Sequence, residues 1–225
     1  MISSIAIDGP AGVGKSTIAK QIAEKLNYTY VDTGAMYRTL AVYFLDLGLK
    51  ENESEKIIGS LDGIEIDIRY IDGVQHMFSN GIDVTDRIRT EEVSRMASVT
   101  SQLAQVRSKL TQLQRGLAAK QSVIMDGRDI GTVILPDATL KIFLTAKSDV
   151  RAKRRWLQLK EQGKLGDATL ESIRAEIEER DYRDSHRENA PLVAASDAVT
   201  VDTSGLTIAQ VEEAILSELE KKLGN

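Results

Sequence analysis

The sequence predicts an α/β fold in which a parallel sheet is covered by helices on both faces, with a small antiparallel β insert and a helical lid added. Short β-branched runs alternate with longer helical patterns along most of the chain. A glycine-rich loop joins the first such run to the first helix. One segment, residues 63–85, breaks the rhythm with strict apolar/polar alternation.

Ile2 to Ile7 is an apolar, β-branched strand, and a helical pattern follows from about Lys15 to Leu26. Tyr28 to Val31 reads as a brief second strand, and a second helix starts near Gly34 with Thr33 as its N-cap. Gly63-Ile64-Glu65-Ile66-Asp67-Ile68-Arg69, an Asp72-Gly73 turn, Val74 to Phe78 and an Asn80-Gly81 turn form an antiparallel meander. Buried strands recur at Val123–Met125, Leu140–Leu144 and Ala198–Val201. The last helix opens on Thr207-Ile208-Ala209-Gln210, a capping box, and carries Ile208, Val211, Ile215 and Leu219 on one face. Strands separated by helices imply βαβ units. The expected organisation is one domain over residues 1–225, with an insert at 63–98 and a lid region at 151–170.

A chain of 225 residues can bury one sizeable core. Its 29 basic and 34 acidic side chains leave a net charge of −5, which disfavours nucleic-acid and membrane-surface binding. Three Phe and one Trp offer little for base stacking along a strand. The absence of cysteine excludes disulfides and thiolate metal sites. The first residues lack a basic signal-peptide n-region, and no stretch reaches about 18 uninterrupted apolar residues. A cytoplasmic monomer is the expectation.

Gly9-Pro10-Ala11-Gly12-Val13-Gly14-Lys15-Ser16 satisfies G-x-x-x-x-G-K-[ST] at every fixed position, between a strand and a helix as a P-loop requires. Its backbone N–H groups and the helix N-terminus suit phosphate oxygens. Gly9 through Thr17 are therefore the expected ATP-binding residues, with Lys15 on the β- and γ-phosphates and the Ser16 hydroxyl on Mg²⁺. The chain has neither the Asn-Lys-x-Asp of guanine readers nor the Asp-Glu that ends a strand in motor ATPases. A small-molecule kinase is the leading reading, and an ATP-binding regulator is the alternative from another class.

Three further clusters fall where loops should leave the C-terminal edge of a parallel sheet. They are Asp32-Thr33-Gly34-Ala35-Met36-Tyr37-Arg38, Asp126-Gly127-Arg128-Asp129-Ile130-Gly131-Thr132, and Arg180 to Arg187. In the last, Arg180, Asp184 and Arg187 are spaced 0, +4 and +7, one face of a helix. Together with the loop, with Pro136-Asp137-Ala138 before Lys141-Ile142-Phe143-Leu144, and with Ala190-Pro191-Leu192, these residues closely resemble the bacterial cytidylate kinase family.

The resemblance implies phosphorylation of CMP and dCMP by ATP with Mg²⁺. It implies that Thr33, Arg38, Arg128 and Arg187 hold the acceptor phosphate, and that Arg180 and Asp184 hold the sugar hydroxyls. Ser98, Arg107 and Asp129 would read the cytosine edge, Tyr37 would pack near the acceptor, and Asp32 would complete the CMP-binding set. Lys15, Arg128 and Arg187 would act on the transferring group. So would Arg151 and Arg155, if the basic run before Trp156 is a lid with a mobile tip at Gly163 and Gly166 rather than an exposed helix face. Asp129 has two other readings, as a helix cap or as a brace for Arg128. Ser98 and Arg107 have another as the solvated face of one helix. His76 and His186 have no metal-ligand spacing and are incidental. Kinases of UMP, AMP or a non-nucleotide alcohol remain rival readings.

Overall fold

Strands and helices alternate along the chain in the computed structural model, which describes residues 2–224. The strand β1 (Ser4–Asp8) leads into helix α1 (Lys15–Leu26), then β2 (Thr29–Asp32), α2 (Thr33–Asp46) and α3 (Ser54–Ser60). The hairpin strands β3 (Ile66–Ile71), β4 (Val74–Ser79) and β5 (Ile82–Asp83) come next, followed by α4 (Glu91–Thr100) and α5 (Ala104–Ala118). The chain then forms β6 (Val123–Gly127), a one-turn π-helix at Ile130–Ile134, and β7 (Leu140–Thr145). It ends with α6 (Ser148–Glu161), α7 (Leu170–His186), β8 (Val199–Asp202) and α8 (Ile208–Leu223).

The described residues fall into two compact units, one running to Tyr30 and resuming at Gln121, the other Val31–Lys120. The larger sheet has the order β2-β6-β1-β7-β8, and β1 pairs in parallel with both β6 and β7. Side chains alternate across a sheet. Ile5, Ile7, Leu140, Ile142 and Leu144 point to one face, where they pack with Ile18 and Ile22 of α1 and Val211, Ile215 and Leu219 of α8. Ala6, Asp8 and Lys141 point to the other. Both Thr207 and Gln210 make the reciprocal hydrogen bonds of a capping box at the start of α8. The helices α6 and α7 pack together through Ala152, Ile173 and Ile177, with Trp156 and Leu159 beside them.

The unit Val31–Lys120 carries the antiparallel sheet β3-β4-β5. Its two tight turns hold Asp72 and Gly73, then Asn80 and Gly81, all at positive φ, the geometry that suits two-residue hairpins. Gln75 of β4 brackets the Asp32 peptide, accepting from its N–H at 2.9 Å and donating to its carbonyl at 3.3 Å.

Three local expectations change. The N-cap of α2 is Asp32, not Thr33: the Asp32 carboxylate accepts from Ala35 N at 2.8 Å, and Thr33 is already helical. Ser98 and Arg107 do not share one helix. The Ser101 hydroxyl donates to Ser98 O at 2.9 Å, an alternative backbone partner where α4 ends, and α5 starts at Ala104. Arg187 is not on the face of α7. It is the extended C-cap residue, at φ −65 and ψ 143.

Candidate active site

The ends of β1, β6, β7 and β8 lie at one edge of the parallel sheet, and the phosphate loop leaves from β1. Gly9 has φ 148, and a Cβ there would lie 2.2 Å from Leu144 O, so only glycine lets the loop pass so close to β7. Lys15 is buried, and its Nζ donates to Gly9 O at 2.8 Å and Pro10 O at 2.7 Å. Burial and the nearby Arg128 cation push its pKa well below the usual lysine value, with Arg180 adding to the effect and Asp126 and Asp8 opposing it.

Beyond the loop, the Ser16 hydroxyl donates to Asp126 Oδ2 at 2.8 Å, and the Tyr30 hydroxyl donates to Asp126 Oδ1 at 2.9 Å. A hydroxyl beside a carboxylate is an oxygen donor set of the kind Mg²⁺ takes. Among the described residues no group of three or more His, Cys, Asp or Glu is placed to hold a metal.

The π turn at Ile130–Ile134 organises the next cluster. Asp8 Oδ1 accepts from Ile130 N at 2.8 Å and Asp8 Oδ2 accepts from Gly131 N at 2.7 Å. Arg128 Nε donates to Asp184 Oδ2 at 2.8 Å, and Arg187 Nη2 donates to Asp129 Oδ1 at 3.2 Å. Arg187 Nε also donates to Ala190 O at 2.7 Å, which folds the side chain back towards the protein. Burial pushes the Asp184 carboxyl up, but Arg128, Arg180 and Arg187 outweigh it and hold the pKa below the usual value. Asp129 therefore pairs with Arg187, and its side chain makes no cap bond to its own turn.

Arg151 is buried at the start of α6. It donates from Nε to Ala146 O at 2.9 Å and from Nη1 to Ala11 O at 3.0 Å and Asp181 Oδ2 at 2.5 Å. Asp181 Oδ1 accepts from Ala11 N at 3.3 Å, so the pair grips both polar groups of one loop residue. Arg155 is exposed and donates to Gln158 Oε1. Gly163 and Gly166 lie in the link between α6 and α7 at φ 65 and 53.

A second cluster lies within the unit Val31–Lys120. Arg38 Nη2 donates to Asp32 Oδ2 at 3.0 Å, and the buried Arg38 Nε has no hydrogen-bond partner among the described residues. Thr33 is buried beside them. Arg107 donates to Ser101 O at 3.3 Å, and its guanidinium lies 5.7 Å from the centre of the Tyr37 ring, within cation–π range. Ser98 and Arg107 are both buried, which overturns the solvated-face reading, and the Ser98 hydroxyl has no hydrogen-bond partner among the described residues. A buried orphan hydroxyl is a group that a ligand can satisfy.

Asp8, Asp126 and Asp181 are the residues that sequence reasoning left without a role. Asp126 carried a signal, since it ends a buried strand opposite the phosphate loop as the acidic residue of many P-loop sites does. Asp8 and Asp181 carried none, because the loop and turn amides they accept from lie 122 and 170 positions away. A family profile described as cytidylate kinase matches residues 5–221. A cytidylate kinase of Caldicellulosiruptor saccharolyticus is 50% identical over 222 residues, covering 99% of this chain and 97% of the relative. One from Leuconostoc mesenteroides is 49% identical over 219 residues, covering 97% of each. A solved but uncharacterised protein of Eubacterium ventriosum shares the fold at a TM-score of 0.52 and 13% identity, covering 98% of this chain and 99% of that one.

Proposed function

The chain belongs to the cytidylate kinase family, and on that premise we propose that it transfers the γ-phosphoryl group of ATP to CMP and dCMP, releasing ADP with CDP or dCDP. The observation that carries this reading is the pairing of half-buried Arg128 with buried Asp184, and of buried Arg187 with buried Asp129. Arginine forks held by carboxylates suit recognition of a phosphate that also carries hydroxyls and a base edge.

The acceptor needs no general base. A phosphomonoester with a second pKa of roughly 6 is already a dianion at neutral pH. Its oxygen attacks the γ-phosphorus as the bond to the ADP oxygen breaks, and the protein positions both partners and offsets charge on a loose transition state. Lys15 and the loop amides hold the donor phosphates, Arg128 and Arg187 hold the acceptor phosphate with Thr33 and Arg38, and Arg180 and Asp184 hold the sugar. Ser16 and Asp126 would hold Mg²⁺, which neutralises donor-phosphate charge when bound. Ser98, Arg107 and Asp129 read cytosine. A carboxylate accepts the N4 amino hydrogen and a guanidinium donates to N3 and O2. Arg151 and Arg155 belong to the proposed lid region at 151–170.

Steady-state kinetics on CMP, dCMP and UMP test the assignment. Arg187→Ala lowers kcat/KM for CMP and dCMP alike by roughly 10–100-fold, because a phosphate clamp does not sense the sugar. Asp129→Asn lowers CMP activity and narrows the CMP-over-UMP ratio, since an amide can donate to the uracil O4. Both substrates spared in Arg187→Ala would remove the phosphate clamp, and an unchanged ratio in Asp129→Asn would remove the base reader.

A further inference from the structure

The first two amides of a helical turn have no partner within the turn, and the usual remedy is the side chain of the residue that precedes it. Asp129 holds that position before the π turn Ile130–Ile134, yet its side chain makes no cap bond there. The orphan amides go instead to a residue 122 and 123 positions away, with Ile130 N on Asp8 Oδ1 at 2.8 Å and Gly131 N on Asp8 Oδ2 at 2.7 Å. Asp8 is only 5% exposed, so the contact is shielded from solvent. The fit around the turn is close: a Cβ on Gly131 would meet Lys141 Cδ at 3.2 Å and Asp8 Oδ2 at 3.4 Å. Relieved of capping, the Asp129 carboxylate reaches Arg187 at 3.2 Å.

We infer that Asp8 is a positioning residue for the acceptor site: it caps the Ile130–Ile134 turn from the neighbouring strand and so frees Asp129 to face Arg187 and the acceptor base. The inference rests on the acceptor role proposed above for Asp129. Asp8 precedes the phosphate loop in sequence, but its hydrogen bonds go to the segment that carries Arg128 and Asp129. A carboxylate suits the task because it offers an acceptor to each of two N–H groups. An asparagine of the same size accepts one and turns an N–H₂ donor against the other. Asp129 can then swing back to cap its own turn, which takes it from Arg187.

The test combines kinetics with amide hydrogen exchange on wild type, Asp8→Asn, Asp129→Asn and the double variant. Asp8→Asn is expected to raise KM for CMP about tenfold, with KM for ATP within about twofold of wild type. The Ile130 and Gly131 amides are expected to exchange about tenfold faster in the same variant. In the Asp129→Asn background, Asp8→Asn should change the CMP-over-UMP ratio little, because both act through one carboxylate. Parallel rises in KM for ATP and CMP, unaltered amide exchange, or an undiminished effect in the double variant would each overturn the inference. If Asp129→Asn alone leaves the ratio untouched, the base-reading assignment fails, while the KM and exchange measurements still decide the role of Asp8. Should Asp8→Asn not fold, Gly131→Ala crowds the same contact, its Cβ 3.2 Å from Lys141 Cδ and 3.4 Å from Asp8 Oδ2, and the same loss selective for CMP is expected.

Discussion

Lys15 and Asp8 show how burial sets the behaviour of single charged groups beside the phosphate loop. The Lys15 ammonium is desolvated and close to Arg128, and anionic donor phosphates are partners that favour its charged form. Lys15→Ala is expected to lower kcat at least about a hundredfold, because a cation aimed at the β- and γ-phosphates acts mainly in the transition state. The circular dichroism spectrum should be unchanged. Near-normal turnover would take Lys15 out of the mechanism. Burial pushes the Asp8 carboxyl up to about 6, against the opposing bonds from Gly131 and Ile130, with Asp129 adding to the rise and Lys15 countering it. A folded pKa above the unfolded value gives stability that is present at low pH and is lost as pH rises through the folded pKa. Ionising Asp8 should therefore cost the native state about 3 kcal/mol between pH 4 and pH 7. Asp8→Asn removes that slope, and urea unfolding at several pH values should show the variant gaining on wild type as pH rises. A constant difference across the range would contradict the assignment.

At the scale of elements, what could be read in advance was local chemistry. Thr207 and Gln210 form the capping box their spacing implies, and the Asp72-Gly73 and Asn80-Gly81 dipeptides make the hairpin turns. The misreadings came where tertiary contacts compete with a local pattern. Arg180, Asp184 and Arg187 have helical spacing, but α7 ends at His186, and Arg187 is held by Ala190 O and Asp129 instead. Polar spacing around Ser98 and Arg107 suggested a solvated face, yet both are buried on separate helices. The basic run in α6 divides in the same way. Arg151 is buried against the phosphate loop and Asp181, Arg154 donates to Thr203, and Arg155 stays exposed. Asp181→Asn should weaken the grip of α6 and α7 on Ala11 and raise KM for ATP by roughly 3–10-fold, with KM for CMP less affected. An unchanged KM for ATP would mean that the loop holds its shape without this pair.

Across the whole molecule, the phosphate loop was legible because it rests on residues adjacent in sequence, and the parallel sheet because short apolar runs spaced by helices imply βαβ units. The loop's surroundings were not legible to the same degree. Asp8, Asp126 and Asp181 each accept from a group more than a hundred positions away, from Ile130 N, the Ser16 hydroxyl and Ala11 N, and no periodicity reports such pairings. Among the described residues no helix is long and apolar enough to cross a membrane, in keeping with the short apolar runs of the sequence. Family membership and the paired arginines converge on one claim, that the acceptor is a cytidine monophosphate. The most direct measurement is a coupled assay of ADP formation with CMP, dCMP, UMP and AMP at equal concentrations. The account predicts turnover that depends on CMP or dCMP, with kcat/KM for UMP lower by up to roughly 10⁴-fold and AMP inert. Equal rates on UMP or AMP, or ADP formation that no acceptor stimulates, would contradict it.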